Sequence, residues 1–154
     1  MARHPTLDAA LLARANIHPA TGLATDYLNY FNEPAMLLQM LADMPDMAED
    51  VLTWTPISYA EHFTRSNFSE RDLAIRAHDE AAPAVRAAFD AACQAVGDHL
   101  SIVQTLLRDG ALAPDAAALE AETLCALIAR ADGVIHGRDA AETAAQDDID
   151  ALFA

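Results

Sequence analysis

The sequence predicts an all-α fold, a helical bundle of about five to seven helices around one long central helix, followed by a short C-terminal amphipathic segment. The chain of 154 residues is 53% hydrophobic and contains only 5 Gly and 7 Pro, which favours a globular helical protein. Apolar residues recur at steps of three and four rather than two, and helix-capping residues stand between these runs.

The first half of the chain predicts a series of short helices. One is expected over residues 7–15 behind a Thr6 cap, before the turn "IHPATG". The next begins near Thr25 and covers "DYLNYFNEPAMLLQMLADM", where Pro34 is expected to kink or divide the helix. A short helix over "PDMAEDVLTW" follows and ends ahead of Pro56.

Two further short helices are predicted from their first residues. "SYAEHF" begins with Ser58 and Glu61 in the spacing of a capping box, and "FSERDLAIRAHDEA" follows with Ser69 as cap and Phe68 as a staple residue. A methionine stripe near helical spacing lies upstream, and we expect it to pack in the core rather than form a docking face. It comprises Met36, Met40, Met44 and Met47.

The longest predicted helix follows Pro83 and ends at Gly110. Its expected core stripe consists of Val85, Phe89, Ala92, Val96, Val103 and Leu107. A last long helix is predicted from Asp115 to about Ile135, with apolar positions at Leu119, Leu124, Leu127 and Ile128. We therefore expect a bundle domain over residues 1–136, and a linker with the amphipathic segment over residues 137–154.

Charge excludes several classes of function. The chain has 24 acidic residues and 9 basic residues, which gives a net charge of −15. Each of the 9 basic residues is Arg. Such a protein repels nucleic-acid phosphates and anionic lipid, so we expect neither partner. Neither a transmembrane run nor a signal peptide is recognised, and the isolated Cys93 and Cys125 suggest reduced thiols. These features predict a soluble cytoplasmic protein of bacterial type.

The long helix carries an acid and an amide side by side. Asp90 and Gln94 are four residues apart, so both lie on the face opposite the core stripe. Arg86, Asp98 and Ser101 add polar side chains to the same face of the helix. The residues between them, Ala87, Ala91 and Gly97, have small side chains that protrude little from the helix. The backbone of a partner could approach such a surface closely.

The segment "AAQDDIDALFA" predicts a short amphipathic helix at the end of the sequence. Ile149, Leu152 and Phe153 share one face at spacings of three and four, among the acids Asp147, Asp148 and Asp150. Two readings are open: the apolar residues pack on the protein's own core, or they bind in a groove of a partner.

The acid–amide pair and the terminal segment together are similar to the CheZ-type chemotaxis phosphatases, and the segment also resembles the receiver-docking segment of the flagellar switch protein FliM. The docking resemblance covers Gln146, Ile149, Asp150, Ala151 and Leu152. It implies that the terminal segment, with Phe153, tethers a CheY-like receiver domain.

In that family the amide orients a water against the aspartyl phosphate of the receiver, and the acid engages the receiver's active-site Lys. The resemblance therefore implies the water-positioning role for Gln94 and the Lys contact for Asp90. It implies no cofactor beyond the Mg²⁺ that the receiver brings. Because members of the family pair, a homodimer is compatible with it as well as a monomer.

A second candidate surface lies in "TDYLNYFNE". Asp26, Asn29, Tyr30 and Glu33 form one polar stripe at helical spacing, whereas Leu28, Phe31, Ala35 and Leu38 point toward the core. The stripe is compatible with a binding groove and with a hydrogen-bond network between helices.

A metal site is not expected. A carboxylate-bridged site in a bundle needs Glu-x-x-His, and no His here has Glu three residues before it. His62, His78 and His99 lie on different predicted helices, so their convergence would depend on tertiary structure.

Two functions are thus open. The first is a protein that binds a phosphorylated receiver domain and stimulates its dephosphorylation, which would make it an aspartyl-phosphate phosphatase. The second is a non-catalytic helical adaptor that holds another protein through the "DYLNYFNE" face or the terminal segment.

Overall fold

The computed structural model describes residues 8–66 and 70–137, and within these ranges the protein is all-α, as predicted. The helices are α1 (Ala9–Arg14), a 3₁₀ helix (Thr25–Leu28), α2 (Asn29–Met40), α3 (Met47–Thr53), α4 (Tyr59–Arg65), α5 (Arg71–Asp79), α6 (Pro83–Arg108) and α7 (Pro114–Ile135). Among them, none is both long and apolar enough to cross a membrane.

Helices α2, α6 and α7 form the body of the bundle. Helix α7 packs against both α2 and α6, α3 bridges α2 and α6, and α4 pairs with α5. The predicted stripe of α6 is confirmed at its centre, where Phe89, Ala92, Val96 and Val103 are buried. Its ends, Val85 and Leu107, are partly buried and pack against the core. The central long helix predicted from the sequence is therefore α6.

Local signals set several helix starts. Ser58 Oγ accepts a hydrogen bond from the Glu61 backbone N–H at 3.0 Å, as the capping box predicts. Helix α1 is capped by Asp8, whose Oδ1 accepts from the Leu11 N–H at 3.0 Å. The predicted caps at Thr6 and Ser69, with the staple residue Phe68, lie outside the described residues.

The predicted turn "IHPATG" packs against α5 through its last residue, Gly22. Gly22 has φ of 76°, and a Cβ at this position would lie 2.9 Å from the Ala77 carbonyl oxygen. Glycine therefore supplies both the left-handed backbone and the close approach.

Pro34 does not divide its helix. Helix α2 continues through this buried proline, and the change of helix type comes earlier, between the 3₁₀ helix and Asn29. Proline has no N–H to donate to the carbonyl of Tyr30 four residues before it. Trp54 Nε1 donates to that carbonyl at 3.1 Å, so a distant side chain replaces the missing helical bond.

The expectation that the methionine stripe packs in the core is wrong for three of its members. Met36, Met40 and Met44 are 57%, 40% and 46% exposed. The core-facing side of α2 is already filled by Phe31 and Leu38 with the small Ala35 between them. The methionines fall on the neighbouring, outward side.

Leu119 is a second correction, since it is 62% exposed rather than part of the core. The buried positions of this turn of α7 are Ala117 and Ala121. Leu119 is two residues from each, so at about 100° per residue it points away from both.

Residues 54–58 form a non-helical connection between α3 and α4, and hydrogen bonds from side chains of other helices hold it in place. Tyr27 Oη donates to the Ile57 carbonyl at 2.6 Å, and Tyr30 Oη donates to the Thr55 carbonyl. The buried Gln104 donates from Nε2 to the carbonyls of Val51 at 2.9 Å and Trp54 at 2.7 Å. Tyrosine and glutamine donors thus replace the absent helical ones.

We expect Gln104→Leu to lower the free energy of unfolding by about 1–3 kcal/mol, because Leu keeps much of the volume but removes the side-chain donor to the Trp54 carbonyl and one of two donors to the Val51 carbonyl, which also accepts from the Trp54 N–H. Urea titration followed by circular dichroism measures the change. Gln39→Leu, at an exposed position of α2, is the matched control and should change stability by less than about 0.5 kcal/mol. Equal midpoints for the two variants would contradict the role given to Gln104.

Candidate functional site

An acidic groove of about 740 Å³ runs along α6 and faces α4, α5 and the 54–58 connection. Buried aromatic side chains contribute to its lining: Tyr27, Phe31, Trp54 and Tyr59. Helix α6 provides a polar wall made of Asp90, Gln94, Asp98 and Ser101. The described lining residues include four carboxylates and no Arg. Arg65 pairs with one of them, Glu61, at 2.6 Å, so the negative charge of the groove comes from Asp79, Asp90 and Asp98.

Asp90 and Gln94 lie where the sequence places them, exposed and one turn apart on the outward side of α6. Gln94 Nε2 donates to Asp98 Oδ1 at 2.8 Å, a bond that orients the amide. The side chain of Asp90 is 60% exposed, and its Oδ1 lies 3.5 Å from His78 Nε2. Both groups are thus open to a partner that enters the groove.

His78 is a neighbour of this pair that sequence reasoning did not assign to it. Its ring stacks on Tyr59, with centroids 4.5 Å apart and an interplanar angle of 20°. Its Nδ1 lies 3.8 Å from Asp79 Oδ1, while Nε2 faces Asp90. Because His78 belongs to α5 and Asp90 to α6, only the packing of these helices joins them.

The polar stripe of "TDYLNYFNE" is largely engaged in hydrogen bonds. Asp26 Oδ2 lies 2.9 Å from His62 Nε2 on α4, and Asn29 Nδ2 donates to Asp26 Oδ1 at 3.5 Å. Tyr30 holds the 54–58 connection, and Glu33 is exposed. Asp26 joins its segment to α4 and Tyr30 joins α2 to the 54–58 connection, whereas the Asn29 bond to Asp26 is local. These contacts favour the alternative of a hydrogen-bond network.

The two predicted sets of site residues do not share one groove. Asp26 and Asn29 line a separate groove of about 440 Å³ together with His18 and His136. The predicted docking residues Ile149, Asp150, Leu152 and Phe153, with Gln146, lie outside the described residues.

Three histidines pair with three different carboxylates. His62 contacts Asp26, His78 contacts Asp90, and His99 Nε2 lies 2.6 Å from Glu120 Oε2. In the ranges 8–66 and 70–137, no group of three or more His, Cys, Asp or Glu is arranged to hold a metal ion. The histidines therefore link helices in this part of the chain.

The Cys93 thiol lines the groove but is held in its neutral form. Burial raises its pKa to about 12, and the nearby Asp90 carboxylate adds to the effect. Burial also raises the pKa of the Tyr27 and Tyr59 phenols well above their usual range. Near neutral pH these three groups are protonated, so none of them serves as an anionic nucleophile.

Comparison of the chain with protein-family models, curated proteins and solved structures finds no match. The chemistry of the groove therefore carries the functional inference.

We expect the two cysteines to differ strongly in alkylation by iodoacetamide at pH 8. Cys125 is exposed, whereas Cys93 is buried with a pKa near 12. Thiolate is the reactive form, so at pH 8 only about one part in 10⁴ of Cys93 is reactive. Cys125→Ser should resist alkylation until the protein is denatured, and Cys93→Ser should react at the wild-type rate, as measured by mass spectrometry. Rapid labelling of native Cys125→Ser would contradict the assignment.

Proposed function

We propose that the protein binds the receiver domain of a response regulator at the acidic groove and accelerates hydrolysis of its aspartyl phosphate. One observation carries the proposal: Asp90 and Gln94 are exposed one turn apart on a continuous helix, at the wall of an open groove. The resemblance to CheZ-type phosphatases assigns complementary roles to these two residue types.

The chemistry requires little of the protein beyond positioning. Water attacks phosphorus in line, the bond from phosphorus to the aspartate oxygen breaks, and inorganic phosphate leaves with the aspartate carboxylate restored. Gln94 Nε2 already donates to Asp98, so the amide oxygen is left to accept a hydrogen bond from the attacking water. An amide does this without adding charge beside the phosphoryl group.

Asp90 would supply the contact that fixes the partner. Its carboxylate is suited to an ion pair with the active-site Lys of a receiver, and its position one turn from Gln94 sets the amide relative to that Lys. His78, 3.5 Å from Asp90, restrains the carboxylate from the side of α5.

The charge of the groove favours a protein-bound phosphate over a free one. Glu61 is ion-paired with Arg65, and the remaining carboxylates of the lining, Asp79, Asp90 and Asp98, would repel a small phosphate ester. A receiver brings its own Mg²⁺ and Lys, which offset the charge of the phosphoryl group.

In this proposal the C-terminal segment tethers the receiver to the protein. Ile149, Leu152 and Phe153, with Asp150 beside them, would bind a second surface of the same receiver. A short segment binds weakly alone, but its linkage to the bundle domain raises the effective concentration of the groove at the receiver.

A non-catalytic adaptor is the second candidate function. The exposed apolar side chains of Met36, Met40 and Met44 favour it, because they offer a protein contact away from Asp90 and Gln94. Binding of a partner without any dephosphorylation would distinguish the adaptor from the phosphatase.

We expect Gln94→Ala to slow dephosphorylation by about 10²-fold or more while receiver binding stays the same, because the attacking water loses its orienting group. The assay follows release of inorganic phosphate from a panel of receiver domains phosphorylated with acetyl phosphate. Gln39→Ala, an exposed amide on α2, is the control and should keep the wild-type rate. An unchanged rate in Gln94→Ala would exclude a catalytic role for this residue.

We expect the double variant Leu152→Ser/Phe153→Ser to weaken receiver binding about tenfold or more, since it removes apolar contacts of the tether and keeps the acidic residues. Calorimetric titration gives the affinity, and the midpoint of thermal unfolding should stay within about 1 °C of the wild-type value. Unchanged affinity with a lower midpoint would instead place these residues on the protein's own core.

A further inference from the structure

We propose that Met36, Met40 and Met44, named here the methionine surface, bind a basic amphipathic helix of a partner protein. This surface is separate from the acidic groove. The inference that it binds a partner does not depend on the phosphatase proposal. The surface is formed by the outward side of α2 and the turn that follows α2.

The three side chains form a continuous stripe. Met36 and Met40 are one turn apart on α2, and Met44 follows in the turn after it, where its N–H donates to the Met40 carbonyl at 2.8 Å. Each of the three residues is at least 40% exposed. Four of the five methionines of the chain lie between residues 36 and 47. Methionine has three rotatable bonds and a polarizable sulfur, so such a stripe adapts to apolar side chains of varied shape.

The methionine surface consists of exposed apolar side chains that do not belong to the hydrophobic core. Phe31, Ala35 and Leu38 fill the core-facing side of the same helix. The helix therefore has one side that packs in the bundle and an outward side on which Met36 and Met40 are exposed among the polar residues Asn32, Glu33 and Gln39.

Charge identifies the kind of partner. Between residues 15 and 64 the chain has seven acidic residues and neither Lys nor Arg. Several of these acids are exposed near the methionine surface in sequence: Glu33, Asp43, Asp46, Glu49 and Asp50. An apolar stripe flanked by carboxylates complements a helix with one apolar face bordered by Lys or Arg.

The same charge argues against other occupants. A second copy of this chain would place acids against acids, because the net charge is −15. The C-terminal segment has an apolar triplet, but Asp147, Asp148 and Asp150 surround it. An anionic membrane is repelled for the same reason.

The probe for this proposal is a synthetic amphipathic helix of about 18 residues made of Leu and Lys, titrated calorimetrically into the full-length protein. The triple variant Met36→Ser/Met40→Ser/Met44→Ser keeps every charge, and we expect it to bind at least about tenfold more weakly. The double variant Ile102→Ser/Leu119→Ser, which removes exposed apolar side chains from α6 and α7, should bind within about twofold of wild type.

A measurement on the wild-type protein makes the test independent of how the variants fold. Peptide binding should slow oxidation of Met36, Met40 and Met44 by hydrogen peroxide, read by mass spectrometry. A scrambled peptide of the same charge but without an apolar face should give no protection.

Three results would overturn the proposal. The first is equal affinity of wild type and the triple methionine variant, which would mean that charge alone binds the peptide. The second is self-association of the wild type that the triple variant abolishes, which would make a second copy the occupant. The third is an increase of about tenfold in peptide affinity on deletion of residues 138–154, which would make the C-terminal segment the occupant.

Discussion

The carbonyls of Trp54, Thr55 and Ile57 accept hydrogen bonds from side chains of other segments, and these bonds hold the connection between α3 and α4 on the bundle. A non-helical connection packed against a core cannot leave its polar groups unpaired without a cost of about 1–3 kcal/mol for each. Tyr27, Tyr30 and Gln104 supply the donors from two other segments. In the opposite direction, Trp54 Nε1 donates to the Tyr30 carbonyl, which receives no helical hydrogen bond because residue 34 is a proline. The resulting network fixes α3 and the start of α4 against α2 and α6.

The acidic groove is a consequence of that arrangement. The fixed connection brings Trp54 and Ile57 to one side of the groove and α6 to the other. Asp90 and Gln94 are exposed on α6 and line this groove. The groove and the region of the methionine surface are both rich in acids: Asp79, Asp90 and Asp98 line the groove, and residues 15–64 contain seven acidic residues and neither Lys nor Arg. Both proposed binding surfaces are therefore better suited to partners that carry positive charge.

Much of the fold was predictable because its signals are local. The spacing of Phe89, Val96 and Val103 specifies the buried side of α6 whatever packs on it. The Ser58 cap needs only a backbone N–H three residues away, and it forms as predicted. Exposure of Asp90 and Gln94 follows from the same periodicity, since the side opposite a buried stripe is open unless another element covers it.

The sequence by itself therefore determined the helical class, the long central helix, several helix ends and the exposed acid–amide pair, because each depends on residues within one or two helical turns. The tertiary structure alone decided that Met36 and Leu119 are exposed, because an apolar residue is buried only where a neighbouring helix lies. It also decided that His78 meets Asp90 and that Gln104 is a buried donor to α3. These contacts join residues 12 and 53 positions apart, and local spacing carries no information about which distant helices will pack together.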